Sequence, residues 1–67
     1  MIIHSILIPM DRFTFQEAAK WVRAHGFLIK KVFATNGYFR FTQLQHCWWA
    51  TYYVKTLPKG IEIVIRQ

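Results

Sequence analysis

The chain has 67 residues, 54% of them hydrophobic and 18% aromatic, and its nine Lys and Arg against three acids give a net charge of +6. That length fits one domain, 1–67, with enough apolar content for a core that needs no metal or bridge. The lone Cys47 excludes an intramolecular disulfide, and no apolar run reaches the ~18 residues of a membrane span.

Residues 2–8, IIHSILI, are rich in β-branched side chains and end at Pro9, which predicts a strand. Strict alternation puts Ile2, Ile6 and Ile8 on one face and Ile3 and Leu7 on the other, so both faces are apolar and a central position is expected. With His4 and Ser5 inside it and no basic segment before it, the run is unlike a secretory signal.

Thr14 and Glu17 have the spacing of a capping box, which opens a helix predicted over 15–25. Phe13 stands at the staple position for Ala18. Phe15, Ala18, Ala19 and Val22 form its apolar stripe, Gln16, Lys20 and Arg23 its wet side, and Gly26 a left-handed stop. His25 falls at the helix C-terminus, where the dipole favours a cation.

Asn36-Gly37 joins two apolar-rich runs, 27–35 and 38–45, as a two-residue type I′ turn. Its register opposes Thr35 to Tyr38, Ala34 to Phe39, Phe33 to Arg40 and Val32 to Phe41. Leu28, Val32, Ala34, Phe39 and Phe41 then face the core. Ile29, Lys31, Phe33, Tyr38, Arg40 and Thr42 face away. Residues 47–57, CWWATYYVKTL, read as a further strand; Pro58-Lys59-Gly60 turns the chain, and 61–66 returns with Ile61, Ile63 and Ile65 on one face. The expected fold is α+β, in the order β-α-β-β-β-β, with one helix packed on an antiparallel sheet of four to five strands.

The run FTFQEAAKWVRAHGFLIKKVFATNGYFRFTQ resembles a small domain of unknown function in tailed phages and large DNA viruses, also found at the N-terminus of phage head-maturation proteases. Thr14, Ala18, Trp21, His25, Gly26, Phe27, Lys31, Val32, Tyr38, Arg40, Phe41 and Gln43 match its pattern, and LPKGIEIVI resembles its closing strand. Thr42 stands where that family usually has a second Arg, and LQHCWWATYY replaces a polar, Pro-containing loop. The resemblance implies a viral origin and a virion or host-cytoplasm setting, with no activity to carry over.

The charge implies an anionic or acidic partner, nucleic acid first and an acidic protein surface second, or else serves only to keep an apolar-rich domain in solution. Lys31, Phe33, Tyr38 and Arg40 interleave cations with rings on one hairpin face, which suits single-stranded nucleic acid; a Phe33–Arg40 cation–π pair or a subunit contact would use the same residues. Trp48, Trp49, Tyr52 and Tyr53 put rings on both faces of one strand; one face is expected in the core, and the Trp and Tyr of the other are interface-type anchors, so Trp48, Trp49 and Tyr53 join the expected contact residues. The leading expectation is therefore a non-catalytic accessory or minor structural component that docks on other viral proteins or on itself. A single-stranded nucleic-acid-binding module is the alternative, and a host-directed inhibitor is a third reading. No catalytic pair, cofactor site or small-molecule substrate is expected: Glu17 is taken by the cap, Asp11 and Glu62 have no partner acid nearby, and the three glycines form no phosphate loop. A metal site is not expected either, since adjacent His46 and Cys47 in a strand would point to opposite faces.

Overall fold

The computed structural model describes residues 2–44 and 49–66. It shows one helix and a five-stranded antiparallel sheet. β1 spans Ile2–Pro9, α1 Phe15–Ala24, β2 Lys31–Thr35, β3 Tyr38–Thr42, β4 Tyr52–Thr56 and β5 Glu62–Arg66. The spatial order is β2-β3-β1-β5-β4, so the apolar first strand is central.

The helix begins where the capping box predicts. The Thr14 hydroxyl accepts from the Glu17 amide at 3.2 Å, and the Thr14 amide donates to Glu17 Oε1 at 2.8 Å. Two of the helix's four orphan amides are thereby accounted for at its first turn. At the other end His25 is the C-cap and Gly26 takes φ +81°, the left-handed stop. The His25 ring stacks on the Trp21 indole at 3.9 Å, and its Nδ1–H donates to the Trp21 carbonyl at 2.8 Å.

The helix lies on one face of the sheet. Ala18 and Val22 pack with Ile6, Ile8, Phe41 and Ile61 in a buried core, and Ile63 and Ile65 extend it along β5. Phe15 caps the core rather than entering it: its ring meets Phe39 edge-on at 5.5 Å and Phe41 in a stacked arrangement at 6.2 Å. Trp21, outside the predicted stripe, also packs on the core.

The hairpin register is the predicted one throughout, and Asn36 and Gly37 both have positive φ, 50° and 82°. Three expectations need correction. First, β1 does not alternate strictly. Its register against β5 shifts between Ile3 and Ser5, so that Ile3 opposes Ile65 and Ile6 opposes Ile63. The extra residue, His4, is a β-bulge that turns Ile3 onto the helix side and leaves Ile2 with Leu7 on the opposite face.

Second, β2 starts at Lys31 and β3 ends at Thr42. Residues 27–30 run outside the sheet, where the alternation of a strand no longer applies. Leu28 is exposed instead of core, and Phe27 and Ile29 pack inward. Third, β4 starts at Tyr52, so residues 49–51 precede the strand. His46, Cys47 and Trp48 lie outside the described residues.

Candidate interaction surface on the open face of the sheet

The face of the sheet opposite the helix carries polar, aromatic and aliphatic positions from all five strands, with Ser5 fully buried at its centre. Cross-strand partners share a face, so the register fixes its rows. One row runs Phe33, Arg40, Leu7, Glu62, Thr56. The next runs Lys31, Thr42, Ser5, Val64, Val54. Thr35 and Tyr38 lie above the first row, and Ile2, Arg66 and Tyr52 lie below the second.

Four of the predicted contact residues therefore come together: Lys31, Phe33, Tyr38 and Arg40 occupy adjacent positions of β2 and β3 on this open face. Phe33 is 57% exposed although it stands mid-strand, an uncovered ring on a sheet surface. It faces Arg40 across the ladder, but no cation–π contact joins the two, so neither group is taken up by the other.

The other three do not join them. Tyr53 opposes Ile65 and so belongs to the helix side, while its neighbour Tyr52 opposes Arg66 on the open face. The two tyrosines thus stand on opposite faces, as alternation along one strand requires, and Tyr53 on the helix side is still 41% exposed. Counting alternation back from Val54, which opposes Val64, places Tyr52 on the face of Lys31 and Phe33. Trp49 sits in the turn before β4 and is 72% exposed. Trp48 lies outside the described residues.

A surface pocket of ≈ 450 Å³ opens on this face where β3 leaves the sheet, lined by His4, Lys30, Lys31, Arg40, Thr42, Gln43 and Leu44. Sequence reasoning missed Lys30, which precedes the strand and whose direction no alternation predicts. The corner is held by main-chain bonds: the Gln43 and Leu44 amides both donate to the His4 carbonyl, at 2.7 and 3.2 Å. His4 itself is buried, with Nδ1 3.1 Å from the Ser5 hydroxyl and its ring edge-on to Tyr52 at 5.0 Å.

None of the three acids lines this pocket. Glu17 is held in the helix cap, Asp11 precedes the helix, and Glu62 is separated from Arg40 in its row by Leu7. Among the described residues no group of three or more His, Cys, Asp or Glu side chains gathers to hold a metal ion. No described helix is long and apolar enough to cross a membrane.

Comparison with protein-family models, with curated proteins and with solved structures gives no match to this chain. The functional reading rests on its own residues.

Proposed function

We propose that this protein is a non-catalytic contact module whose open sheet face binds single-stranded nucleic acid. The observation that supports this reading most directly is the juxtaposition of the uncovered Phe33 ring with Lys31 and Arg40 on adjacent strands. An exposed ring lets a base stack while phosphates meet the cations beside it, and each stacked base is worth about 1–3 kcal/mol. With a net charge of +6, long-range attraction acts in the same direction. In a phage or viral setting, as the sequence resemblance implies, such a module would act on the genome or its transcripts.

The test is binding of a fluorescent oligothymidylate followed by anisotropy against salt. Neutralising three phosphates at a slope of about −0.7 each gives a total near −2, so affinity should fall roughly 20-fold between ~50 and ~200 mM salt. Phe33→Ala should lose about 1–3 kcal/mol of binding. Affinity that is flat in salt, or indifferent to Phe33→Ala, would reject the reading.

A second reading, docking on another viral protein or on a second copy, is favoured by one observation. Trp49 and Val54 are both exposed at the β4 end of the molecule, away from the β2–β3 cations. Trp anchors of this kind carry protein interfaces. A partner captured through them would bind with little salt dependence and be lost on Trp49→Ala.

A further inference from the structure

We infer that the pocket between β3 and the segment leading into β2 is a phosphate seat, and that it fixes where a nucleic-acid strand sits on the open face. The inference rests on the nucleic-acid reading above and adds to it a site and a register.

Three cationic side chains, Lys30, Lys31 and Arg40, line one pocket with Thr42, and no Asp or Glu is among its described lining residues. None of the three cations has an ion pair or a side-chain hydrogen bond among the described residues. Like charges drawn to one concavity repel, and nothing among the described lining residues offsets them. A bound anion would do so, and it would find an ammonium pair, a guanidinium fork and a hydroxyl donor together.

The walls are fixed from both sides. The His4 carbonyl holds Gln43 and Leu44, and the Gln43 side chain in turn holds the main chain of Leu28, two residues before Lys30. The donors are thus presented on a braced corner rather than on a free loop. The ≈ 450 Å³ of space exceeds what a phosphate group fills and lies within the range of small-ligand sites, so it admits a sugar with its phosphate.

Lys31 and Phe33 are two residues apart on one face of β2, about 7 Å along the strand. A phosphate held at the pocket and a base stacked on Phe33 can therefore belong to the same or adjacent nucleotides. The strand would enter at the pocket and run past Phe33 and Arg40 toward Tyr38.

The experiment uses the full chain and three probes: inorganic phosphate, a 5′-phosphorylated dithymidine, and an oligothymidylate. Amide chemical shifts read the seat, and anisotropy reads strand affinity. Inorganic phosphate and the dinucleotide should shift Lys31, Thr42 and Leu44 in wild type and not in the double variant Lys30→Gln, Lys31→Gln. Both lysines are exposed, so circular dichroism should show the variant folded. That variant should weaken the oligothymidylate at least roughly tenfold and flatten its salt slope by about 1.4, two contacts at about 0.7 each. Phe33→Ala should weaken the strand while leaving the phosphate shifts intact. If the double variant binds the oligothymidylate as wild type does while Phe33→Ala does not, the nucleic-acid reading stands and the seat is overturned. If phosphate shifts the pocket amides but no strand binds, the seat serves a free anion and the strand register is overturned. Phosphate shifts spread over lysines elsewhere, or unchanged in the double variant, overturn the site itself.

Discussion

The side-chain amide of Gln43 closes a two-bond ring with the main chain of Leu28. Gln43 Oε1 accepts from the Leu28 amide and Gln43 Nε2 donates to the Leu28 carbonyl, both at 2.8 Å. A side chain here does what a neighbouring strand would do, and it does so for the segment that has left the sheet. Gln43→Ala should destabilise by about 1–2 kcal/mol, two net hydrogen bonds at about 0.5–1.5 each. Gln43→Glu should recover little of this, because it keeps the acceptor and removes the donor. Urea denaturation gives the magnitude, and faster hydrogen exchange at the Leu28 amide gives the location. An unchanged midpoint for Gln43→Ala would mean the ring adds nothing to stability.

Phe41 is fully buried between β1 and the helix, whereas Tyr38, on the same strand, belongs to the open face. Phe41→Ala should cost about 3–5 kcal/mol, a large part of the about 5–15 kcal/mol that holds an ordinary domain together. Tyr38→Ala should leave the chain folded. Circular dichroism distinguishes them, and the reverse result would place the sheet one residue out of register.

Gly26 has φ +81°, and a Cβ built there would meet nothing within 4 Å. Substitution is therefore penalised by the backbone alone. Gly26→Val should lower stability by about 1–2 kcal/mol, and Gly26→Asn by less, since Asn visits the left-handed region more readily. Equal melting temperatures for wild type and Gly26→Val would contradict the left-handed stop.

Thr14→Ala removes the hydroxyl that receives the Glu17 amide. The expected loss is about 1 kcal/mol. Because the Glu17 carboxylate then has only its own half of the box, Glu17→Ala in that background should cost less than it does alone. Additive losses in the double-mutant cycle would show that the two halves do not cooperate.

Where the chain states its structure in local chemistry, the sequence was sufficient. Thr14 and Glu17 announce the helix, Asn36-Gly37 sets the whole β2–β3 register, and the Ile61, Ile63, Ile65 alternation marks the buried face of β5. The misplacements share a cause: each depends on a non-local partner. His4 bulges because β1 must satisfy β5, and no feature of IIHSILI indicates that. Leu28 and Ile29 exchange roles because Gln43, fifteen positions away, draws residue 28 off the strand path. Tyr52 and Tyr53 are indistinguishable by composition, and only the pairing with β5 tells which ring shares a surface with Lys31 and Phe33. The pocket had no sequence signature, since Lys30 and His4 reach it from opposite sides of the hairpin.

The placement of β1 between β3 and β5 has a kinetic consequence. The central strand must pair with the last one, so Ile6 and Ile63 meet only by closing a loop that contains most of the chain. The β2–β3 hairpin closes across two residues and forms early, on a microsecond scale. It remains a ribbon of marginal stability until β1 docks along β3. Assembly should therefore be limited by the long-range β1–β5 closure rather than by the helix or the hairpin. Until that closure, β1 presents an apolar strand with one edge unpaired, so the interval before β5 arrives is when two copies of the chain are most prone to pair with each other.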